Sequence, residues 1–390
     1  MRVMLGRRGA KAPRGAPPRV DAAWVEDLVR LSLAGLERMY DPTREMLLSV
    51  SFEHGHRHRV EDGRRRRVEH LGARYTVMAS LGLHDAKRAG YAMTLDPARL
   101  LQSGLAQHTE DDIDHLAMAL WADTAIDCGV TEEVLPRLLR ALDRDLDGVI
   151  GRVLAWALTA LALHHARAPG DAAVTAAITR LRDLAVNQAF DAQGALFHHF
   201  VGGDAFWRSQ SLFSTQIYWV YALATVARVM GDAEAGAVAG RAAGRLIALR
   251  DPFHGWPWRY DAMRSRVIER YPVYSVHQDA MAPMALHALT DATGRRFGRV
   301  HRESLGWLAQ NELGVDMVDR DEQVIYRAIR RAFPLNRAAY GLGWAAARAG
   351  LPSPVAAQPW ALRRNATCRP YHLGWLLHAW AGRLDRLEGD

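Results

Sequence analysis

The chain has 390 residues, 49% of them hydrophobic and 24% charged, which is ordinary globular usage with enough apolar material for a large core. Two cysteines, Cys128 and Cys368, exclude a disulfide framework and fit a reducing, cytoplasmic setting, and no apolar run reaches the roughly 18 residues of a membrane span. The formal charge of +7 is concentrated in Arg2, Arg7, Arg8, Lys11, Arg14 and Arg19, so the rest of the chain is close to neutral and a nucleic-acid surface is not expected.

Residues 1–20 are rich in Arg, Gly and Pro and lack the apolar core of a secretory signal, so they read as a disordered basic leader. From there to residue 390 the pattern is that of one helical domain. Val25, Val29, Leu33, Leu36 and Tyr40 recur at spacings of three and four and predict a helix over 22–40. His54, His56 and His58 then alternate as on one face of a hairpin, ahead of a basic knot at Arg64–Arg67. Further helices are predicted over 68–81, 96–107, 112–126, 131–142, 151–167, 172–189, 215–230, 233–249, 278–293, 296–312, 336–349 and 371–387, separated by Gly, Asp and Pro signals. Short β-hairpins are expected at 194–201 and 256–267. A loose repeat marks the inner helices: Gln216 and Gln278, 62 residues apart, each follow an irregular aromatic stretch and open an apolar helix.

A helix that is apolar almost all round must be buried, so alternating apolar and amphipathic helices predict an inner ring inside an outer ring. The alternative is an open helical solenoid with a concave face. In a closed ring the inner helix starts converge on one mouth, bringing unpaired N–H groups and polar residues together. The candidates lie just ahead of, or one turn into, those helices. His277, with Tyr274 beside it, is suited to proton transfer near neutral pH. Asp114 and His115 lie deeper in their helix than the capping acids Glu110, Asp111 and Asp112. Trp256, Trp258 and Tyr260 alternate on one face of a short extended segment. Gln278, Glu69, His70, Arg74, Arg369, Tyr371 and His372 complete the set, with Arg369 suited to binding a carboxylate or phosphate. Cys368 and His372 have metal-like spacing but lack further ligands, and Asp143, Asp145 and Asp147 lack the closing glutamate of a calcium loop, so no metal is expected.

This layout over residues 60–387, with the stretches Gly255-Trp256-Pro257-Trp258-Arg259-Tyr260-Asp261 and Tyr271-Pro272-Val273-Tyr274-Ser275-Val276-His277-Gln278, resembles the carbohydrate-active (α/α)6 toroid enzymes. These include six-hairpin glycosidases, acylglucosamine-type and uronate epimerases and toroidal polysaccharide lyases. The resemblance implies an all-α toroid of helical hairpins with short β-hairpin loops. It also implies acid–base chemistry on an oligo- or polysaccharide without a cofactor. His277, Tyr274 and Asp114 would then carry the reaction, with Trp256, Trp258, Tyr260 and Gln278 holding the sugar. A second stretch, Asp112-Ile113-Asp114-His115-Leu116-Ala117-Met118, resembles the acidic motif of protonating terpenoid cyclases, which would make Asp114 a proton donor to a polyprene. It departs from that motif at His115, where the family has aspartate. A non-catalytic helical binding module is the third possibility. The sequence leaves the oligomeric state open.

Overall fold

The computed structural model describes residues 19–52, 59–62, 65–68, 72–108, 110–332, 335–349, 351 and 359–389. The described helices are α1 (Ala22–Met39), α2 (Gly72–Arg88), α3 (Pro97–Ala106), α4 (Ile113–Ile126), α5 (Thr131–Leu142), α6 (Gly151–Arg167) and α7 (Ala172–Leu184). They continue with the short α8 (Ala205–Ser209), α9 (Phe213–Met230), α10 (Ala233–Ala248), α11 (Ala282–Thr293), α12 (Gly298–Gly306), α13 (Leu335–Arg348) and α14 (Pro370–Trp380). A π-helical turn, His277–Met281, leads into α11.

Six of these helices form an inner ring in the order α2, α4, α6, α9, α11 with its π turn, and α14, and α14 packs back against α2 to close it. The outer helices sit behind them: α1 on α14, α3 on α2, α5 on α4, α7 on α6, α10 on α9, and α12 on the π turn. The fold is an (α/α)6 toroid, closed rather than an open solenoid.

Burial explains which helices went inside. In α4 every residue from His115 to Asp123 is buried, in α6 every residue from Leu154 to Ala162, and in α14 every residue from His372 to Trp380. Such helices have no face to give to water. In α7 only Val174, Ile178, Leu181 and Leu184 are buried, one stripe at helical spacing.

The two ends of the ring differ. Where inner helices end, the turns are short: α9 stops at Gly231 and α11 at Gly294, both in the left-handed conformation that glycine adopts without strain. At the other end the connections are long and carry the β-structure. Thr367–Cys368 pairs with Ser49–Ser51, tying the segment before α14 to the segment after α1 across the closure. Val273–Tyr274 pairs with Ala328–Arg331, and Gln210–Leu212 with Arg259–Asp261.

Three predicted helices change extent, and the one expected at 296–312 is cut to Gly298–Gly306. The expected helix at 68–81 runs from Gly72 to Arg88, because Arg65–Val68 is a strand on Ser49–Ser51 and the helix carries on through Gly82 until the chain turns at Gly90. The expected helix at 371–387 stops at Trp380, where Gly382 turns the chain into a short 3-10 segment, Leu384–Leu387. Among the described residues no helix is long and apolar enough to cross a membrane.

Candidate active site

All six inner helices start at the end of the ring that carries the long connections, and a cavity of about 330 Å³ lies between those starts. That volume is at the low end of the ~300–1,000 Å³ usual for small-molecule sites. Its wall is built in order around the ring. Helix α2 contributes Arg74, Tyr75 and Met78; α6 contributes Arg152 and Trp156; the start of α9 contributes Leu212, Ser214 and Tyr218. Tyr274, His277 and Met281 come from the π turn and the strand before it, and Arg369 and Tyr371 from the start of α14. Trp258 and Arg327 reach in from the long connections.

The sheets place those last two. The Phe213 amide donates to the carbonyl of Trp258 at 2.9 Å, which holds the tryptophan beside the first turn of α9. The Ser275 amide donates to the carbonyl of Arg327 at 2.9 Å, next to the pairing of Tyr274 with Ala328. The Arg327 guanidinium therefore lies over the Tyr274 ring, 5.1 Å from its centroid.

His277 is buried between aromatic rings, 4.4 Å from Phe213 and 5.0 Å from Tyr274 centroid to centroid, and its Nδ1 has no hydrogen-bond partner. Burial pushes its pKa down to about 3, with His372 and the positive charge of Arg327 adding to the effect, so the ring is neutral at pH 7. Burial raises the pKa of Tyr274 although Arg327 opposes it, so the phenol keeps its proton. The wall thus sets an imidazole that is neutral at pH 7 beside a phenol that keeps its proton.

The wall is also strongly basic. Arg74 forms an ion pair with Asp114 of α4, and Arg369 donates to the Tyr75 hydroxyl. Arg152 sits 5.5 Å from the Trp156 ring with its Nε buried and unpartnered. Burial and then the charge of Arg74 lower its pKa. Helix ends add to this field. The outer helices α1, α3, α7 and α10 start on capping aspartates, Asp21, Asp96, Asp171 and Asp232. The inner helices α4, α6, α9 and α14 and the π turn have no side-chain cap, so their positive dipole ends meet the mouth without an acidic cap, although the first amides of α6 and α9 donate to the carbonyls of His199 and Trp258.

Of the residues expected from sequence, the cavity brings together Arg74, Trp258, Tyr274, His277, Arg369 and Tyr371, and Asp114 joins through Arg74. Five others lie elsewhere. Trp256 is fully buried and donates its indole N–H to Ser304 at 2.8 Å, and Tyr260 is likewise enclosed in the core. Gln278 accepts from the Trp256 amide at 3.3 Å and donates to the Tyr274 carbonyl at 3.0 Å, so it fixes backbone. His372 is spent on Asp279, with Nε2 2.8 Å from the carboxylate inside the core. His115 turns away from the ring centre and stacks on His108 at 4.1 Å. Glu69, His70, His54, His56 and His58 lie outside the described residues, as does the leader to residue 18.

Sequence reasoning missed Arg152, Tyr75, Tyr218 and Arg327. The first three carried the signal used for Asp114, a polar side chain within the first turns of an otherwise apolar helix. Arg327 follows a strand and had none.

No family model and no curated protein matches the sequence. Solved structures do match in fold. Cellobiose 2-epimerase from Bacillus thermoamylovorans superposes with a TM-score of 0.62 at 13% identity, over 93% of this chain and 99% of that one. An unsaturated glucuronyl hydrolase specific for heparin gives 0.59 at 14% identity, over 94% and 97%. A possible member of glycoside hydrolase family 105 from Salmonella enterica gives 0.60 at 10% identity, over 98% and 99%. At such identities the likeness is one of fold, and the fold this chain shares is the (α/α)6 toroid of those sugar-processing enzymes.

Proposed function

We propose that the protein is a carbohydrate-active enzyme that binds an oligo- or polysaccharide in the mouth of the ring and acts on it by general acid/base chemistry. The observation that carries this reading is the juxtaposition of neutral His277 and protonated Tyr274 on the wall of a cavity rich in tyrosine, tryptophan and arginine. Flat aromatic faces dock the C–H patches of a sugar ring, and the polar tips hold hydroxyls. Among the described residues Asp114 is the one carboxylate at this wall, and Arg74 holds it. The pair of carboxylates that flanks the scissile bond in most glycoside hydrolysis is absent from them. This favours proton transfer at carbon, of the epimerase or lyase type, with His277 accepting and Tyr274 or Tyr371 donating. The terpenoid alternative fits less well, because a polyprene calls for an apolar wall beneath a single acid.

Two measurements test this. In a thermal-shift screen, oligosaccharides stabilise the protein; stabilisation by prenyl diphosphates alone overturns the reading. Once a substrate is found, His277→Ala lowers kcat by about 10²–10⁴-fold, the usual contribution of a positioned acid or base, with the circular-dichroism spectrum unchanged. Unchanged turnover in that variant removes His277 from the mechanism.

A further inference from the structure

Four guanidinium groups face one cavity, and the charge there does not balance. Asp114 answers Arg74. Arg369 meets only the neutral hydroxyl of Tyr75. Among the described residues neither Arg152 nor Arg327 has an acidic partner: each has a buried, unpartnered Nε, and each guanidinium is near an aromatic ring. Elsewhere in the molecule several buried or partly buried arginines are matched. Arg331 pairs with Glu269, Arg250 with Glu303, and Arg182 with Asp183, Asp232 and Glu234. At the mouth the surplus is gathered around one cavity, where uncapped helix starts deepen it. Enclosed like charges are costly unless something neutralises them, and the group that does so enters with the ligand.

Resting on the saccharide reading above, we infer that the substrate is an acidic sugar whose oxoanion is gripped between Arg152 and Arg327. The planar guanidinium fork matches carboxylate and ester oxoanions with paired N–H donors. The shared chemistry is an oxoanion on a sugar ring, either the carboxylate of a uronic acid or a sulfate or phosphate ester. Trp258 and Tyr274 supply aromatic faces for the ring itself. Arg327 then has two neighbours to bridge, the anion and the Tyr274–His277 pair, so charge recognition and proton transfer would occur on adjacent atoms of one sugar.

Calorimetric titration of the full chain with three sets of short oligosaccharides tests this: uronic-acid-containing, sulfated or phosphorylated, and neutral ones of the same linkage. Acidic sugars are expected to bind at least tenfold tighter than neutral ones at low ionic strength, with the advantage shrinking as salt is raised. The set that wins identifies the anion. Arg327→Gln and Arg152→Gln should each remove most of the preference for acidic over neutral sugars. Arg327→Lys, which keeps the charge and loses the fork, should retain part of it and guards against a folding defect in the glutamine variant. Equal affinity for neutral and acidic sugars overturns the anion inference and leaves the saccharide reading standing. Failure of all three sets to bind overturns both.

Discussion

Asp279 and His372 show how much of the polar content near the mouth is scaffold. The carboxylate is fully buried, and burial pushes its pKa up against the opposing pull of His372. Its backbone carbonyl accepts from the Trp380 indole at 2.7 Å, so one residue ties the π turn to both ends of α14. Removing one partner of such a pair strands the other in the core, at a cost of about 3–5 kcal/mol. Asp279→Ala should therefore lower the denaturation midpoint sharply, while Asp279→Asn, which can still accept from His372, should lose less. Equal stability of the alanine variant would show that the pair is not closed in solution. At this scale the sequence was only half legible. Polar residues before apolar helices were the right class, but placement depended on which way each side chain points. His277 faces the cavity and Gln278, one residue on, faces backbone. Neighbours on a helix start differ by about 100° in direction, so composition alone cannot sort them.

Short hairpins recur at the mouth with a common chemistry. Tyr40–Asp41 pairs with Met46–Leu47, Phe190–Asp191 with Leu196–Phe197, Arg259–Asp261 with Arg266–Glu269, and Val318–Asp319 with Val324–Ile325. In each, the aspartate (Asp41, Asp191, Asp261 or Asp319) accepts from a backbone amide two or three residues on. Four residues after each aspartate, Glu45, Ala195, Ser265 and Gln323 adopt positive φ. This eight-residue unit is a truer repeat than the Gln216 and Gln278 openings, yet one of those openings holds a copy of it in place: Gln216 both accepts from and donates to the backbone of Phe197. The repeat escaped notice because only its aspartate and its alternating apolar positions are kept, and its turn tolerates any residue able to bear the left-handed conformation. Helix existence and order, in contrast, were legible, because the periodicity extends over many residues. Asp261 is the most enclosed of the four and also meets Arg264 and Arg266. Asp261→Ala should cost about 1–3 kcal/mol by leaving the Arg264 amide in the turn without its acceptor and the half-buried Arg266 without this partner. Because Arg259 in the same hairpin follows Trp258, the substitution should also weaken ligand binding. A urea melt and a titration on one sample separate the two effects, and a variant as stable as the parent would deny the hairpins their structural role.

Closure of the ring rests on close contact between α2 and α14. A Cβ built on Gly82 would overlap the carbonyl of Gly374, so the two helices meet backbone to backbone where only glycine fits. The ring so closed encloses several histidines without giving them charged partners. Burial is the leading cause that holds His115 and His199 down at about 4 and His277 and His301 at about 3, and it also depresses His287. His287 stacks on His301 at 4.5 Å and meets the edge of Trp380 at 4.9 Å, with both ring nitrogens unpartnered. The sign of the pH effect follows. In the unfolded chain these side chains take up protons near pH ~6.5, whereas in the folded ring they stay neutral to about pH 4 or below. Between those limits the unfolded state binds more protons, so stability is fully present above pH ~6.5 and is lost as the pH falls. Each such histidine adds up to about 1.4 kcal/mol per pH unit to that loss. Urea midpoints should therefore be level from pH 8 to 7 and fall steeply from 6 to 5, well above the range where most carboxylates protonate. His287→Leu, which removes one of these groups and keeps its place in the core apolar, should flatten the slope by one histidine's share. A midpoint independent of pH down to 5 would mean that these rings reach water in solution, and the closed ring would then be looser than its packing indicates.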